Sequence, residues 1–472
     1  MKDDRTEIRQ KIDGWFELHS DEMFEDISRL IAIKSVRGPA EEGAPYGTGP
    51  REALSLAQSI LEEHGFTVSV FEDMIITADI GPAPPLMGIM AHLDVVETGD
   101  GWNTDPFIMA KKDGRIYGRG ATDNKGPSVA SMYAMRCARE LYPDMPGGCR
   151  LILGSGEETG CTDIAQYLSK NDPQPNVFTP DAGFPVINIE KGRILPFFKA
   201  SWEKDLALPR LVSITGGNST NVVPGLVEAV VEGFSLHDAE TFCREFSEKT
   251  GASISAREDV GRLVLSAEGK SAHAARPFEG LNALTALLET LASMPFAQSP
   301  GFGYIRALNR LFPHGDIHGE GLGIAMSDEK TGQLTLNFGV LGYTETDLTG
   351  NFDSRTPACA DEIDLLGMTR ESLEREGFVM TDSTISHCHH TPEESPFVQT
   401  LLRIYHEYTG NPGHCLSTGG QTYVHEIPGG VVFGVGLSGL SDGVHGANEH
   451  VDVRHLINSA KMFTQTILDM CG

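Results

Sequence analysis

The chain has 472 residues, 40% of them hydrophobic, and a formal net charge of −29, which is too long for one core of ordinary size and ample for two. An acidic surplus on this scale argues against a phosphate-backbone partner; it leaves room for a cationic or zwitterionic small molecule and, more simply, keeps the surface solvated. The eight cysteines show no CxxC pair and no regular spacing, as in a chain that keeps its thiols reduced, so a cytoplasmic setting is expected.

The charged start, Met1-Lys2-Asp3-Asp4-Arg5-Thr6-Glu7, leads into an amphipathic stretch, and nowhere do about 18 apolar residues run together, so neither a signal peptide nor a membrane span is expected. Residues 8–34 mix acidic and apolar positions at helical spacing, and 53–64 read as a second helix closed by Gly65. Apolar runs at 86–90, 151–153 and 177–178, set off by Gly or Pro, read as strands. Between them Ala130, Tyr133, Ala134, Cys137 and Leu141 form the apolar stripe of a helix packed on a sheet. This is an α/β pattern, in which ligands gather at the carboxyl ends of strands. From about Glu190 to Thr384 the chain is richer in β segments (227–231, 263–265, 334–338), with helices between them such as one striped by Leu281, Leu284, Leu288 and Leu291. After Pro392 α/β character returns, and the apolar strand 430–434 runs toward His445. The expected organisation is one α/β domain in two parts, 1–189 and 385–472, with a second domain inserted at 190–384.

Met90-Ala91-His92-Leu93-Asp94 delivers a histidine and a carboxylate, two residues apart, where a buried strand should end. Alone, His92 reads as a satisfied core histidine; with Asp94 on the same face of an extended segment, the carboxylate can orient the imidazole and raise its basicity. Asp123 lies in the glycine-rich turn Gly118-Arg119-Gly120-Ala121-Thr122-Asp123 that opens a helix. There a carboxylate can give one oxygen to each of two ions, although an N-capping aspartate is the simpler reading of that residue alone. Glu157 and Glu158 follow a strand between glycines, so one can bind metal while its neighbour faces substrate as a base. Asp181, in Thr179-Pro180-Asp181, would pass for a turn aspartate by itself. With His445, these residues make a nitrogen and oxygen donor set suited to borderline or hard divalent cations.

In their order and spacing, His92-Leu93-Asp94-Val95-Val96, Gly118-Arg119-Gly120 with Asp123-Asn124-Lys125-Gly126, Glu157-Glu158, and His445 with Asn448-Glu449 resemble the aminoacylase and glutamate-carboxypeptidase family of dinuclear zinc peptidases, from residue 8 to the end. The bacterial dipeptidase branch of the dipeptidase V type is the most similar. That likeness rests on Trp15, Ser35-Val36-Arg37, Ala44-Pro45-Tyr46-Gly47, Ser155 to Asp163 and the long insert. The resemblance implies a mixed-sheet metallopeptidase catalytic domain with an inserted α+β lid domain. It implies that His92 and Asp181 bind one metal, Glu158 and His445 the other, and Asp123 both, with Asp94 orienting His92 and Glu157 as general base and later acid. Gly269-Lys270-Ser271-Ala272-His273 resembles the lid segment whose histidine stabilises the oxyanion. Asn221 resembles a second polar lid contact, and Arg355, in Asp353-Ser354-Arg355, the arginine that holds a substrate carboxylate. Each of these three has an ordinary alternative: a surface histidine, a turn asparagine, a surface ion pair.

The function so implied is hydrolysis of the amide bond of short peptides by a two-metal-activated water. Zn²⁺ is the expected ion, with Mn²⁺ and Co²⁺ as alternatives, and a monomer closing its own lid over a small peptide is expected, with no nucleic-acid or membrane partner. The rivals are a deacylase or desuccinylase of N-acyl amino acids, which shares the ligands and the arginine, and a non-catalytic binding protein on the same fold. His387, Cys388, His389 and His390 form a further cluster, but contiguous residues cannot all converge on one ion, and a loop returning to the first domain is the better reading.

Overall fold

A computed structural model describes residues 5–436 and 442–472, so the first four residues of the charged start lie outside the described residues. The described chain divides into two compact units: one of residues Met1–Ile189, His389–Ser417 and Gln421–Gly472, the other of Glu190–Cys388 and Thr418–Gly420.

The first unit is built on a mixed sheet. Among the described residues its strand order is Val68–Phe71, Ile75–Ile80, Gly148–Gly154, Pro85–His92, Asn176–Thr179, Val431–Val432, Val186–Glu190 and His389–His390, with Cys415–Thr418 pairing Val186–Glu190 off this path. Pro85–His92 runs parallel to both Gly148–Gly154 and Asn176–Thr179, and Val431–Val432 is parallel to Asn176–Thr179. Ile75–Ile80 is antiparallel to Gly148–Gly154. The central strands are mostly apolar because both faces are covered. Met87, Ile89, Ala91, Leu151 and Leu153 enter the core under the long helices, whereas Met90 and Ile152 enter a smaller core with Tyr46, Ile164 and Tyr423 on the other face. Helices Arg5–Ile31, Lys125–Leu141 and Val453–Cys471 pack together over the first of these cores. Arg5–Ile31 buries Ile8, Ile12, Trp15, Phe16, Met23, Ile27 and Leu30, a stripe at helical spacing.

The second unit carries an antiparallel sheet ordered Ser253–Asp259, Arg262–Glu268, Leu226–Glu232, Arg210–Gly216, Thr335–Tyr343, Asp347–Thr356, Gly192–Ser201 and Val379–Ser386. Strand Leu226–Glu232 alternates as such sheets do, burying Val227, Ala229 and Val231 and turning Glu228 and Glu232 outward. Helices Leu236–Thr250, Ala283–Ser293, Pro300–Leu311 and Leu365–Arg375 contribute to its core. This is the expected α/β fold with an α+β unit between its parts.

Several elements differ from the sequence expectation, beginning with the first helix, which spans Arg5–Ile31 rather than 8–34. The second helix spans Thr48–Glu63, a turn earlier than the apolar pattern suggests. Leu281 lies outside its helix: Asn282 caps Ala283–Ser293 by accepting the N–H groups of Leu284 and Thr285, and Leu281 bridges to Lys270 instead. The run 430–434 yields a strand only at Val431–Val432, followed by Val435–Gly436, which pairs Ala182–Gly183. All eight cysteines are free, and no helix among the described residues is long and apolar enough to cross a membrane.

Candidate metal centre

The parallel strands of the first unit deliver their last residues to one end of the sheet. Pro85–His92 ends on His92, which pairs with Gly154; Gly148–Gly154 is followed by Glu157 and Glu158, and Asn176–Thr179 by Asp181. Asp123 comes from the turn before Lys125–Leu141. There Asn124, not Asp123, occupies the capping position and makes no side-chain cap, which leaves the Asp123 carboxylate to face other groups.

Two clusters result, His92–Asp123–Asp181 and Asp123–Glu158–His445, each with its donor atoms within 4.8 Å of one another. His92 Nε2 is 3.0 Å from Asp123 Oδ1 and 3.4 Å from Asp181 Oδ1. His445 Nε2 is 3.1 Å from both Asp123 Oδ2 and Glu158 Oε2. Asp123 thus turns one oxygen to each cluster. The side chain of His92 is buried and that of His445 is 37% exposed, so the centre opens to solvent on the His445 side.

The donors fit divalent cations on two observations. Buried His92 Nε2 and Glu158 Oε1 have no hydrogen-bond partner, two orphaned polar atoms that a cation would satisfy. Ligands about 2.0–2.1 Å from a tetrahedral ion stand about 3.4 Å apart, close to the observed spacing. The electrostatics agree. Burial would lower the pKa of His92, yet the charge of Asp181 and the nearness of the Asp123 carboxylate take it well above the ordinary value. The His445 pKa rises to about 11 against its own burial, through Glu158 and Asp123. Burial, and then the charge of Asp123, push Glu158 up to about 7. Asp181 reaches about 6, by burial and again by Asp123. Carboxylates crowded in this way gain from a positive ion between them.

The surroundings fix the donors. His92 Nδ1 lies 3.0 Å from the backbone oxygen of Asp94 and 3.4 Å from its Oδ1; a proton donated there leaves the Nε2 lone pair toward the cluster. The Asp94 carboxylate has a second task, accepting the backbone N–H groups of Glu157 at 3.3 Å and Glu158 at 3.1 Å. Glu157 belongs to neither donor cluster. Burial, reinforced by the charge of Asp181, holds its pKa well above the carboxylate range.

Several supporting residues were motif members without roles in the sequence reading. Asn124 Nδ2 donates to Asp181 Oδ1 at 2.7 Å. Buried Asp163 accepts the N–H groups of Ser155 and Gly156, both at 2.8 Å, and the Tyr423 hydroxyl at 2.5 Å, holding the turn that leads to Glu157. Gly154 is required there, because a Cβ would strike the Tyr423 hydroxyl and Asp163. Arg119 and Glu449 pair in the interior at 2.8 Å. No local pattern announces these partners, since Asp163 and Tyr423 are 260 positions apart and Arg119 and Glu449 are 330 apart.

In the second unit, Val222 bridges His273, and the Ala274 N–H donates to the Asn221 carbonyl at 2.8 Å, so Asn221 and His273 occupy adjoining segments. His273 Nδ1 accepts the Ala275 N–H at 3.1 Å. Arg355 is 4% exposed; its Nε and Nη2 donate to Asp353 at 2.8 and 3.1 Å, and its Nη1 to the Gly419 carbonyl at 2.6 Å. The cluster at His387 diverges: His387 and the Cys388 N–H meet Asp361, whereas His389 Nε2 meets the Gly430 carbonyl. Among the described residues it contributes to neither donor group.

Residues 88–469 match the model of peptidase family M20/M25/M40. A Bacillus subtilis (strain 168) protein named "Putative dipeptidase YtjP" is 31% identical, over 95% of this chain and 97% of its own length. A Staphylococcus aureus (strain USA300) protein with the same designation of dipeptidase is 30% identical, over 96% and 98%. In fold the chain is similar to human carnosine dipeptidase 1, with TM-score 0.58 and 17% identity over 98% of this chain and 99% of that one. It is also similar to the dipeptidase Dug1p of Saccharomyces cerevisiae, with TM-score 0.59 and 14% identity over 99% and 98%.

Proposed function

The chain belongs to peptidase family M20/M25/M40, and on that premise we propose that it is a metal-dependent dipeptidase that holds two divalent ions. The observation that carries the reading is the pair of donor clusters sharing Asp123, with Glu157 outside both yet within electrostatic reach of Asp181, His92, Glu158 and Asp123. Relatives of nearly equal length are named as dipeptidases, which supports short peptides as the substrate class. His92, Asp123 and Asp181 would hold one ion and Asp123, Glu158 and His445 the other. Such ions supply Lewis acidity and a water whose pKa falls from about 15.7 toward about 7.

The chain's own residues then have distinct tasks. Glu157 takes a proton from the attacking water at its carboxylate and returns it to the leaving amine. Asp94 fixes the backbone from which Glu157 extends, so the proton acceptor starts from a defined place. His273 donates from Nε2 to the developing oxyanion, its Nδ1 being used by Ala275. Asn221 adds a second polar contact. Arg355 binds the substrate carboxylate through the N–H groups that Asp353 and Gly419 do not use. The scheme is completed by a monomeric protein with Zn²⁺ as the working ion and Mn²⁺ or Co²⁺ as substitutes.

A deacylase of N-acyl amino acids would use the same donors, and the substrate's free amine separates the two. Metal-stripped protein reconstituted with Zn²⁺ or Mn²⁺ is expected to hydrolyse dipeptides in preference to tripeptides and N-acetyl amino acids. Preference for N-acetyl amino acids would overturn the dipeptidase reading, and inertness toward all three would overturn the hydrolytic one.

A further inference from the structure

Glu449 is fully buried and every acceptor position it offers faces a donor. Oε1 accepts the N–H groups of Thr122 at 2.9 Å and Asp123 at 3.0 Å; Oε2 accepts the Gly120 N–H at 3.0 Å and Arg119 Nη1 at 2.8 Å. Its backbone oxygen accepts the Gly118 N–H at 3.1 Å. Arg119, 1% exposed, directs Nη2 to three carbonyls: Glu97 and Thr98 at 3.2 Å and Gly446 at 3.0 Å. Its guanidinium lies 5.3 Å from the centre of the Trp102 ring. Asn448 adds an outer latch, accepting the Asn103 N–H at 2.8 Å and donating to the Gly101 carbonyl at 3.2 Å. One buried ion pair thus joins the turn that carries Asp123 to the segment that carries His445.

That segment needs holding. His445 and Asn448 both have φ near +60° (60° and 61°), a left-handed conformation that side-chain residues adopt at a cost and keep only when their surroundings impose it. The opposite cluster is anchored by other means. His92 sits on a central strand with its ring against the Asp94 carbonyl, and Asp181 is held by Asn124. His92 and Asp181 thus have anchors of their own, and Glu449 reaches this cluster only through the backbone N–H of the shared Asp123.

We propose that Arg119 and Glu449 are positioning residues for His445 and for the Asp123 turn, so that their loss weakens metal binding at the Asp123–Glu158–His445 cluster, where they hold two of the ligands, more than at His92–Asp123–Asp181, where they hold one. The inference rests on reading the two clusters as metal sites. Partners that orient a ligand typically change metal affinity by about 10–100-fold, and the loss here falls more heavily on one ion of the two. Glu449→Gln is isosteric, but an amide cannot accept from four donors: its NH₂ must face either the Gly120 and Arg119 pair or the Thr122 and Asp123 pair. Arg119→Lys keeps a charge for Glu449 but cannot also reach the Gly446, Glu97 and Thr98 carbonyls.

The test is calorimetric titration of Mn²⁺ and, separately, Zn²⁺ into metal-free wild type, Glu449→Gln, Arg119→Lys and Asn448→Ala. The metal-free melting temperature of each variant certifies folding. Two binding events are expected in wild type. In Glu449→Gln one event weakens by about 10-fold or more and the other by less, with a smaller loss in the more sensitive event for Arg119→Lys. Should Glu449→Gln not fold, Arg119→Lys and Asn448→Ala carry the comparison. Equal weakening of both events, or two unchanged events in the folded variants, overturns the inference while leaving the functional reading intact. Wild type that takes up no ion overturns both.

Discussion

Replacing Asp163 by asparagine should slow turnover far more than it weakens substrate binding, because Asp163 holds the turn from which Glu157 starts. Its Oδ2 receives three donors, the N–H groups of Ser155 and Gly156 and the Tyr423 hydroxyl, and its Oδ1 receives the Ile164 N–H at 2.8 Å. Burial and the charge of Asp94 raise the Asp163 pKa, so the ionised form is costly there and loss of the charge itself is partly compensated. Acceptor count decides the outcome. Asparagine with its oxygen in the Oδ2 place satisfies three donors and sets its NH₂ against the Ile164 N–H; a buried donor left unpaired costs about 1–3 kcal/mol. For a unit of this size, that corresponds to a fall in melting temperature of about 2–12 °C. Displacement of Glu157 by about 1 Å is worth about 100-fold in rate. Thermal unfolding of the metal-loaded protein and steady-state kinetics with a dipeptide give both quantities. An unchanged kcat in a variant whose melting temperature has dropped would refute the positioning argument, and an unchanged melting temperature would refute the acceptor count.

Glu157→Gln is expected to lower kcat by about 10²–10⁴-fold with KM and metal content near wild type, since Glu157 lies outside both donor clusters; loss of a bound ion in this variant would contradict the division of roles. Arg355→Lys should raise KM for dipeptides by about 10-fold or more, because a lysine cannot reproduce a fork already shared between Asp353 and Gly419; steady-state kinetics at saturating metal would show it, and an unchanged KM would count against a carboxylate site there. Burial alone would raise the pKa of Asp26, but hydrogen bonds from His64, Tyr133 and Arg29 bring it below the usual range. A depressed carboxylate stabilises the fold above its unfolded pKa of about 3.9 and loses that contribution as pH falls through the folded value. The stability gap between wild type and Asp26→Asn should therefore be full at neutral pH and shrink below about pH 4; denaturant unfolding showing a constant gap down to pH 3 would contradict this.

The gathering of these five side chains was legible because each closes a recognisable segment: His92 an apolar strand, Glu158 and Asp181 the turns after strands, Asp123 a glycine-rich turn, His445 a motif near the C-terminus. The α/β pattern with an α+β insert was legible for a related reason, since continuous apolar runs and alternating runs mark strands buried on two faces or one. What sequence could not supply was pairing at a distance. Glu449 was visible only as a neighbour of Asn448, and nothing local indicates that its carboxylate receives Gly120, Thr122 and Asp123. The double use of Asp94 was hidden for the same reason, because its second task depends on where the Glu157 turn arrives. Leu281 shows the opposite limit: its spacing is helical, yet Asn282 caps the helix one residue later.

Metal content per chain tests the central claim most directly, measured by elemental analysis on wild type and Asp123→Ala after equilibration with Zn²⁺ and removal of the free ion. Shared donation by Asp123 predicts about two ions per chain in wild type and loss of tight binding at both clusters in the variant. Two ions retained by Asp123→Ala, or a wild type that holds one ion or none, would contradict it.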